Sequence, residues 1–364
     1  MKKKIKVLVF LIIIIIFLLN NTSVVFAEDI YINAKCAIAL DSKTRTVLYE
    51  KNAYMLVPMA STTKIMTSLV AIKYGNLDKE VEISRRAAGM RGSTVGYKVG
   101  EKISIRELLY GLMFRSGNDA AIAIAEGISG NVDEFLKLMN EYAAEIGAFN
   151  THFESPHGLD SDNHYCTAYD LAIITAKAKE NSLFNEIVSR KDIDGKQLGF
   201  TRSYHNINKL LYQLPSANGV KTGYTGKAGK CLVSSVNIQG HDVIIVVLNC
   251  TPRWKETTRI YDYINKTYEY KKIYEKNQVV KVDSLVNKKL KVVCPEDVVV
   301  PIKKTCGYDI KLRVPNNPIE NIVKGEQYGA LEVWSEDKMI YCNSLVSGDN
   351  INKKIQIKKW FFKK

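Results

Sequence analysis

The sequence lacks three short patterns that mark common hydrolases and metal sites. None of its seven cysteines forms a C-x-x-C pair, and no H-E-x-x-H or G-x-S-x-G segment occurs. The first absence argues against a zinc or redox motif, and the second argues against a zinc peptidase. The third argues against a Ser-His-Asp hydrolase of the α/β type, although the chain has five histidines.

The body of the chain carries little net positive charge, despite a formal net charge of +14 for the whole sequence. Four lysines lie in the first six residues and six more in the last twelve, so the rest of the chain carries only about +4. Nucleic-acid-binding domains are more basic and cluster that charge on one face. We therefore expect no nucleic-acid partner.

The longest apolar run lies near the N-terminus and is short for a membrane span. Residues 7–19 are apolar, lysines precede them, and Val25 and Ala27 are small residues at the positions that a signal peptidase reads. The pattern predicts a signal peptide over residues 1–27, with an uncleaved anchor as the alternative. Either way, we expect an exported protein. All seven cysteines follow this segment. Their number is odd, so at least one is free or pairs between chains, and we expect most to be buried.

Changes in apolar periodicity predict an α/β domain over residues 28–269. Two early strands and a late hairpin flank a helical middle, and early strands that pair with late ones would form one antiparallel sheet with a helical insert. Thr167 is the predicted N-cap of one helix. The predicted strands are 36–40, 46–49, 81–83, 230–238 and 243–250, and the predicted helices are 58–75, 105–114, 118–127, 132–146, 168–178 and 255–270.

The pattern changes near residue 270 to short alternating runs, several of them separated by glycine and proline. They predict a small all-β domain over residues 270–348, which has no constellation of catalytic residue types and suits a spacer or docking module. Its predicted strands are 278–282, 289–293, 298–302, 310–314 and 330–334. The last segment, 349–364, combines six lysines with Trp360, Phe361 and Phe362. It predicts a tail that binds the membrane surface, or alternatively a flexible basic tail.

Ser61 and Lys64 form the most informative motif, Ser-x-x-Lys. Residues three apart share a helix face, so this amine can share a hydrogen bond with the hydroxyl, and a buried lysine loses its proton more easily. Ser61 opens an apolar helix, where its alternative role is an N-cap. Ser335 and Lys338 have the same spacing, but they lie between two apolar runs and predict a turn between strands.

Two further motifs follow Ser61 along the chain. Ser116 and Asn118 begin an alanine-rich helix, with an N-cap as the alternative role. Ser161 and Asn163 repeat the Ser-x-Asn pattern, but they lie in a polar loop 100 residues after Ser61, so we favour Ser116. The third motif is Lys-Thr-Gly at 221–223, which predicts an edge strand whose charge and hydroxyl can bind a carboxylate.

These three motifs, in this order, resemble those of the low-molecular-mass penicillin-binding proteins, which are serine-type D-Ala-D-Ala carboxypeptidases. The resemblance covers residues 30–346 and includes P-M-A-S-T-T-K at 58–64, R-S-G-N-D-A at 115–120, S-P-H-G-L at 155–159 and G-V-K-T-G-Y-T at 219–225. It implies a β-lactamase/transpeptidase-like fold, peptidoglycan stem peptides as substrates, β-lactams as inhibitors, and no metal ion or cofactor. The tail resembles the membrane anchor of the family only loosely.

The resemblance also implies a role for each residue of the site. Ser61 is the nucleophile, Lys64 is its base, and Ser116 relays a proton to the leaving D-alanine. The backbone amides of Ser61 and Tyr224 form the oxyanion hole. The other substrate-binding residues are Asn118 for the substrate amide, Lys221 and Gly223 on the edge strand, and Thr222 and Arg253 for the terminal carboxylate.

Two alternatives use the same fold. A class A β-lactamase needs a glutamate that activates water, and the nearest candidate, Glu154, lies in a different sequence context. A non-catalytic cell-wall-binding protein would not need three intact motifs. His157, in the Pro-His-Gly turn, is expected to be structural. Carboxypeptidase, endopeptidase and transpeptidase activities all share one acyl-enzyme, so the sequence leaves the choice among them open.

Overall fold

The computed structural model describes residues 30–281, 290–315 and 321–350. The predicted signal peptide and residues 351–364 of the predicted tail lie outside the described residues. No helix within the described ranges is long and apolar enough to cross a bilayer. All seven cysteines are free, and five of them are buried, which confirms the expectation for most of them.

A five-stranded antiparallel sheet is the frame of residues 32–267. The strands are β1 (Cys36–Asp41), β2 (Val47–Lys51), β7 (Ala217–Thr225), β8 (Gly229–Ile238) and β9 (His241–Leu248), in the order β2-β1-β9-β8-β7. The earliest strand lies beside the latest one, with Cys36 opposite Leu248. This pairing confirms the predicted antiparallel sheet with a helical insert, and it leaves β7 at one edge.

The central strand β9 is apolar along nearly its whole length because both faces of the sheet are covered. Ile244 and Val246 belong to the main core, and Ile245 and Val247, which are equally buried, point to the opposite face by strand alternation. Strands that are buried on both faces have continuous apolar runs, as the 243–250 segment does. The insert packs on one face, and the last helix of this region contacts β8 and β9.

The insert between β2 and β7 carries most of the helices and begins with a 3-10 turn at Ala60–Thr63. The predicted N-cap of one helix is confirmed, because the Thr167 side chain accepts a hydrogen bond from Asp170 N at 2.9 Å. The helices are α1 (Lys64–Tyr74), α2 (Arg85–Ala88), α3 (Ile105–Phe114), α4 (Asn118–Ser129), α5 (Val132–Glu145), α6 (Ala168–Ala178), α7 (Ser182–Ser189), α8 (Gly195–Leu198), α9 (Leu210–Gln213) and α10 (Arg253–Thr267), and the short strands are β3 (Glu80–Glu82), β4 (Lys102–Ser104), β5 (Asp192–Ile193) and β6 (Tyr204–His205).

The part of the chain after Thr267 is all-β within the described residues, as the sequence predicts. Its apolar core, which includes Val300, Leu331 and Leu345, is separate from the main core. The predicted turn at Ser335–Lys338 is confirmed as a tight hairpin. The strands are β10 (Tyr268–Tyr274), β11 (Val279–Val280), β12 (Val292–Val293), β13 (Val298–Lys303), β14 (Asp309–Arg313), β15 (Gln327–Ser335) and β16 (Lys338–Ser347); β10 pairs with β13, and the others form one sheet in the order β11-β12-β16-β15-β14.

The predicted end of the last helix at residue 270 is wrong. Helix α10 ends at Thr267, and strand β10 begins at the next residue. Tyr268 pairs with Lys303 across the sheet, and its hydroxyl donates to the Leu48 carbonyl oxygen at 2.9 Å. Strand pairing and this buried bond therefore override the local helical periodicity, because tertiary contacts outweigh weak propensities.

Candidate active site

Ser61 lies in the 3-10 turn that leads into α1. Ala60, which precedes it, has a left-handed backbone with φ of 52°, a region that residues with side chains seldom adopt. The N-cap residues are Met59 for the 3-10 turn and Thr63 for α1, so Ser61 does not have the alternative N-cap role. The turn instead leaves the Ser61 hydroxyl 2.9 Å from Lys64 Nζ.

Lys64 is fully buried, and all the hydrogen-bond partners of its amine are oxygens. Besides Ser61 Oγ, Nζ contacts Asn118 Oδ1 at 2.8 Å and the His157 carbonyl oxygen at 2.6 Å. Burial lowers the pKa of Lys64 well below its usual value, the charge of Lys221 lowers it further, and Asp119 opposes the shift. The environment therefore favours a neutral amine. Its two hydrogens match the two carbonyl-type oxygens, which leaves the lone pair for the Ser61 proton.

Ser116 and Asn118 lie at the start of α4, and Asn118 contacts this amine. Ser116 has φ of 60° and is buried, and the N-cap of the helix is Gly117, so Ser116 does not fill the alternative capping role either. Asn118 accepts from Lys64 and donates to the Arg91 carbonyl oxygen at 2.6 Å. The competing Ser-x-Asn segment lies on the surface, where Asp162 forms an ion pair with Lys227 at 2.9 Å.

The Lys-Thr-Gly motif lies on β7, which is the predicted edge strand. Gly223 packs against the nucleophile turn so closely that a Cβ atom there would lie 3.1 Å from Ser61 N. Lys221 is buried, and its Nζ donates to the Thr222 carbonyl oxygen at 2.9 Å. Burial, with a smaller effect of Arg253, lowers the pKa of Lys221 to about 7. The side chain of Tyr224, by contrast, is 67% exposed.

Arg253 begins α10 behind the edge strand. Its Nη1 donates to the carbonyl oxygens of Gly223 at 2.7 Å and Cys231 at 3.0 Å, so the guanidinium ties β7 to β8. The buried Nε has no hydrogen-bond partner among the described residues. The structure thus brings Arg253 next to the motif, whereas its contact with a substrate carboxylate stays a prediction.

The sequence did not reveal how the S-P-H-G-L segment supports the nucleophile helix. The carbonyl oxygens of Pro156 and His157 accept from Thr67 Oγ1 at 2.6 Å and from Lys64 Nζ at 2.6 Å. Gly158 has φ of 86°, and a Cβ atom there would lie only 2.0 Å from the Ala60 carbonyl oxygen. The Pro-His-Gly turn was recognisable in the sequence, but its backbone carbonyl oxygens, and not the imidazole of His157, contact the helix that follows Ser61.

A buried carboxylate, Asp119, also went unnoticed in the sequence. It follows Asn118 on α4 and accepts hydrogen bonds from the backbone amides of Val95 at 3.0 Å and Gly96 at 2.8 Å. These bonds hold the loop that precedes α3 next to Asn118. Gly92, in the same loop, has φ of 83°, and a Cβ atom there would lie 3.0 Å from Asn118 Nδ2.

Together these contacts assemble a hydroxyl and two buried lysines with lowered pKa values at the edge of one sheet. A serine activated by a neighbouring base is a nucleophile for acyl transfer. The model of the D-alanyl-D-alanine carboxypeptidase family matches residues 22–251. The chain belongs to this family. A second model, that of the penicillin-binding protein 5 C-terminal domain, matches residues 268–353.

Relatives and solved structures agree with the family and with the predicted fold. The chain is 34% identical over 353 residues to the D-alanyl-D-alanine carboxypeptidase DacF of Bacillus subtilis, covering 88% of this chain and 86% of the relative. Penicillin-binding protein 5 from Haemophilus influenzae aligns with a TM-score of 0.78 at 28% identity, over 90% of this chain and 99% of that one. A mutant of the Streptomyces K15 DD-transpeptidase aligns with a TM-score of 0.61 at 35% identity, over 65% of this chain and 98% of that one. These findings confirm the resemblance, the fold class and the assignment as a serine peptidase.

Proposed function

We propose that this family member removes the terminal D-alanine from peptidoglycan stem peptides through an acyl-enzyme on Ser61. One observation carries the proposal: the buried Lys64 amine lies 2.9 Å from Ser61 Oγ, and its other two contacts are carbonyl-type oxygens. That arrangement suits a neutral amine which accepts the serine proton.

In the first step, Ser61 Oγ attacks the carbonyl carbon between the two D-alanines, and Lys64 takes the proton of the hydroxyl. The carbonyl oxygen becomes an anion, which the backbone amides of Ser61 and Tyr224 would stabilise. The approach of β7 to the nucleophile turn at Gly223 supports this pairing of amides, since no side chain separates the two segments.

In the second step, the C–N bond breaks, and the leaving D-alanine takes a proton through Ser116, with Lys221 nearby. The Lys221 ammonium, Thr222 and Arg253 would bind the terminal carboxylate. Asn118 would hold the substrate amide through Oδ1. This oxygen already accepts from Lys64 at 2.8 Å, but an amide oxygen can accept two hydrogen bonds. Water then hydrolyses the ester and frees Ser61.

The proposal extends to β-lactam binding and to the place where the protein works. A penicillin would acylate Ser61 in the same way and leave slowly. The basic, apolar start of the sequence supports export, which suits action on the cell wall and a role in peptidoglycan biosynthesis and cell shape. The tail at 349–364 would associate with the outer face of the cell membrane. We also propose the division into domains at 28–269 and 270–348.

A β-lactamase reading finds less support in the structure. Glu154 is the nearest candidate for a water-activating glutamate, and its carboxylate accepts a hydrogen bond from Asn163 N at 3.1 Å in the surface loop.

The test follows the intact mass of purified residues 28–349 after mixing with benzylpenicillin, beside the Ser61→Ala variant. We expect a long-lived adduct that maps to Ser61 and is absent from the variant. A rapidly vanishing adduct with hydrolysed drug would favour a β-lactamase. Folded protein that forms no adduct would refute the nucleophile. Release of D-alanine from a D-Ala-D-Ala peptide, with and without an acceptor amine, then separates carboxypeptidase from transpeptidase activity.

A further inference from the structure

His164 is buried beneath the turn that carries Ser61, with 3% of its surface exposed. Its Nε2 lies 2.7 Å from Thr63 Oγ1, and its Nδ1 accepts a hydrogen bond from Glu154 N at 3.0 Å. Thr63 Oγ1 in turn donates to the Ala60 carbonyl oxygen at 2.9 Å. A chain of hydrogen bonds therefore leads from the 152–165 loop to the residue before the nucleophile.

The groups at the two ends fix the direction of every bond in this chain. A backbone N–H can only donate, so His164 Nδ1 carries no proton, and the neutral ring holds its proton on Nε2. A carbonyl oxygen can only accept, so Thr63 gives its one hydrogen to Ala60 and accepts from the imidazole. Burial favours this neutral ring and lowers the pKa of His164 to about 4. The bonds run from ring to hydroxyl to carbonyl, and bonds in such a series strengthen one another.

The last hydrogen bond of the series, from Thr63 to the Ala60 carbonyl oxygen, acts on the peptide group that joins Ala60 to Ser61. The Ala60 carbonyl and the Ser61 N–H belong to the same planar peptide group, so a bond that holds the oxygen also orients the N–H. Ala60 is in the left-handed region, with φ of 52°, so contacts around it must hold that conformation. Thr63 is the only side chain donor to that oxygen among the described residues.

We propose that His164 is a positioning residue, which acts through Thr63 to aim the Ser61 N–H at the oxyanion. The inference rests on the proposed function, because acyl transfer at Ser61 is what develops negative charge on that oxygen. The ring lies behind the turn, so its effect is on the transition state and not on the binding of the ground state. Loss of the chain should therefore lower the maximal acylation rate constant, k2, and leave the dissociation constant of the non-covalent complex, K, unchanged.

Stopped-flow acylation of the full mature chain by benzylpenicillin separates k2 from K. Loss of a whole oxyanion donor costs about 100- to 1000-fold, so we expect misorientation in His164→Phe to lower k2 by about tenfold. Thr63→Val breaks the same chain at constant shape and should lower k2 equally. The double variant should be no worse than the worse single one, because both break one series of bonds. His164→Gln should restore most of k2, because its amide nitrogen can replace Nε2.

The matched control is His152→Phe in the same loop, where the imidazole Nδ1 bonds to the Asn163 carbonyl oxygen at 2.7 Å and does not contact the nucleophile turn. We expect it to keep k2. An unchanged k2 in folded His164→Phe and Thr63→Val, additive losses in the double variant, or a rise in K alone would each overturn the inference. If His164→Phe does not fold, Thr63→Val and His164→Gln carry the test. Wild-type protein that forms no adduct would refute the proposed function itself.

Discussion

Residues 32–267 and the all-β part after Thr267 are both built on antiparallel strands, yet they bury different kinds of side chain. The first region buries Lys64, Lys221 and Asp119 together with many hydroxyl and amide groups. Among the described residues after Thr267, the only buried polar side chain besides tyrosine and cysteine is Ser347, and the core is aliphatic apart from Cys294 and Tyr328. Burial of a charge or of a polar group costs free energy unless partners compensate it. A region that buries several of them does so for a reason other than stability.

The lysines of the first region sharpen this contrast. Lys179 is buried and forms an ion pair with Asp242 at 3.1 Å, as buried lysines ordinarily do. Burial lowers the pKa of all three lysines, but neither Lys64 nor Lys221 forms an ion pair within the described residues. Unpaired buried lysines with lowered pKa values are typical of catalytic sites, because such groups can exchange protons near neutral pH. Both of these unpaired lysines lie in the first region, which is where we propose that the chemistry takes place.

The largest expected effect comes from Lys64→Met, which keeps most of the length of the side chain and removes the amine. A positioned general base contributes about 100- to 10,000-fold, so we expect acylation by benzylpenicillin to fall by about 1000-fold. The measurement is k2/K by stopped flow, with folding checked by circular dichroism.

Lys179→Met is the matched control for this prediction, because it removes a buried lysine that is ion-paired. It leaves Asp242 without its cation, so it should lower the free energy of unfolding and keep k2/K within about twofold of wild type. Equal losses of acylation in the two variants would break the comparison, since both lysines would then be structural.

A second test creates a cavity in the core of the all-β part. Leu331 is fully buried there, and Leu331→Ala should lower the free energy of unfolding by about 3 kcal/mol, because the substitution leaves a cavity. Acylation by the protein that remains folded should not change. Ile65→Ala, equally buried but next to Lys64 on α1, should lower both quantities. Urea unfolding measures the change in stability, and k2/K measures the change in acylation. A tenfold slower acylation in Leu331→Ala would instead assign the all-β part a role at the active site.

A third test uses pH and Lys221. As pH rises through about 7, this lysine loses its proton, so the KM of a D-Ala-D-Ala peptide should increase by about tenfold between pH 7 and pH 9. Lys221→Arg keeps the charge and should abolish that increase. The stability effect has the opposite sense. The pKa of the unfolded chain is about 10.4, so the wild type should gain stability relative to Lys221→Met as pH rises from about 7 to about 10. If the free energies of unfolding of the two proteins changed equally over that pH range, the result would contradict the lowered pKa of Lys221.

Much of the fold could be predicted because local patterns and short motifs agreed with the final structure. The apolar runs of β8 and β9 and the helical spacing of α3 are local properties, and so is the three-residue spacing of Ser61 and Lys64. The pairing of early strands with late ones followed from the position of the helical middle. The contacts that complete the environment of Lys64 were not predictable, because the His157 carbonyl is 93 residues away along the chain. Backbone atoms leave no residue-type signal in one sequence.

At the boundary between α10 and β10, the local pattern was present but gave a wrong prediction. The helical periodicity continued to residue 270, but Tyr268 is buried against β2 and begins a strand that pairs with β13. Local spacing could not reveal this, since the partner Lys303 is far along the chain. The contact that decides the boundary also joins the two regions, and it supplies the smallest of the predicted effects.

Tyr268→Phe removes only the hydroxyl that donates to the Leu48 carbonyl oxygen at 2.9 Å. A buried hydrogen bond contributes about 1 kcal/mol net, so the free energy of unfolding should fall by about that amount in urea titrations. Tyr308→Phe, at a tyrosine that is 41% exposed, is the control and should change it by less than about 0.5 kcal/mol. Neither variant should alter k2/K, because both hydroxyls belong to the supporting architecture. A slower acylation in Tyr268→Phe alone would mean that the active site depends on how the all-β part packs against β2. The proposal that only the first region serves the reaction would then be wrong.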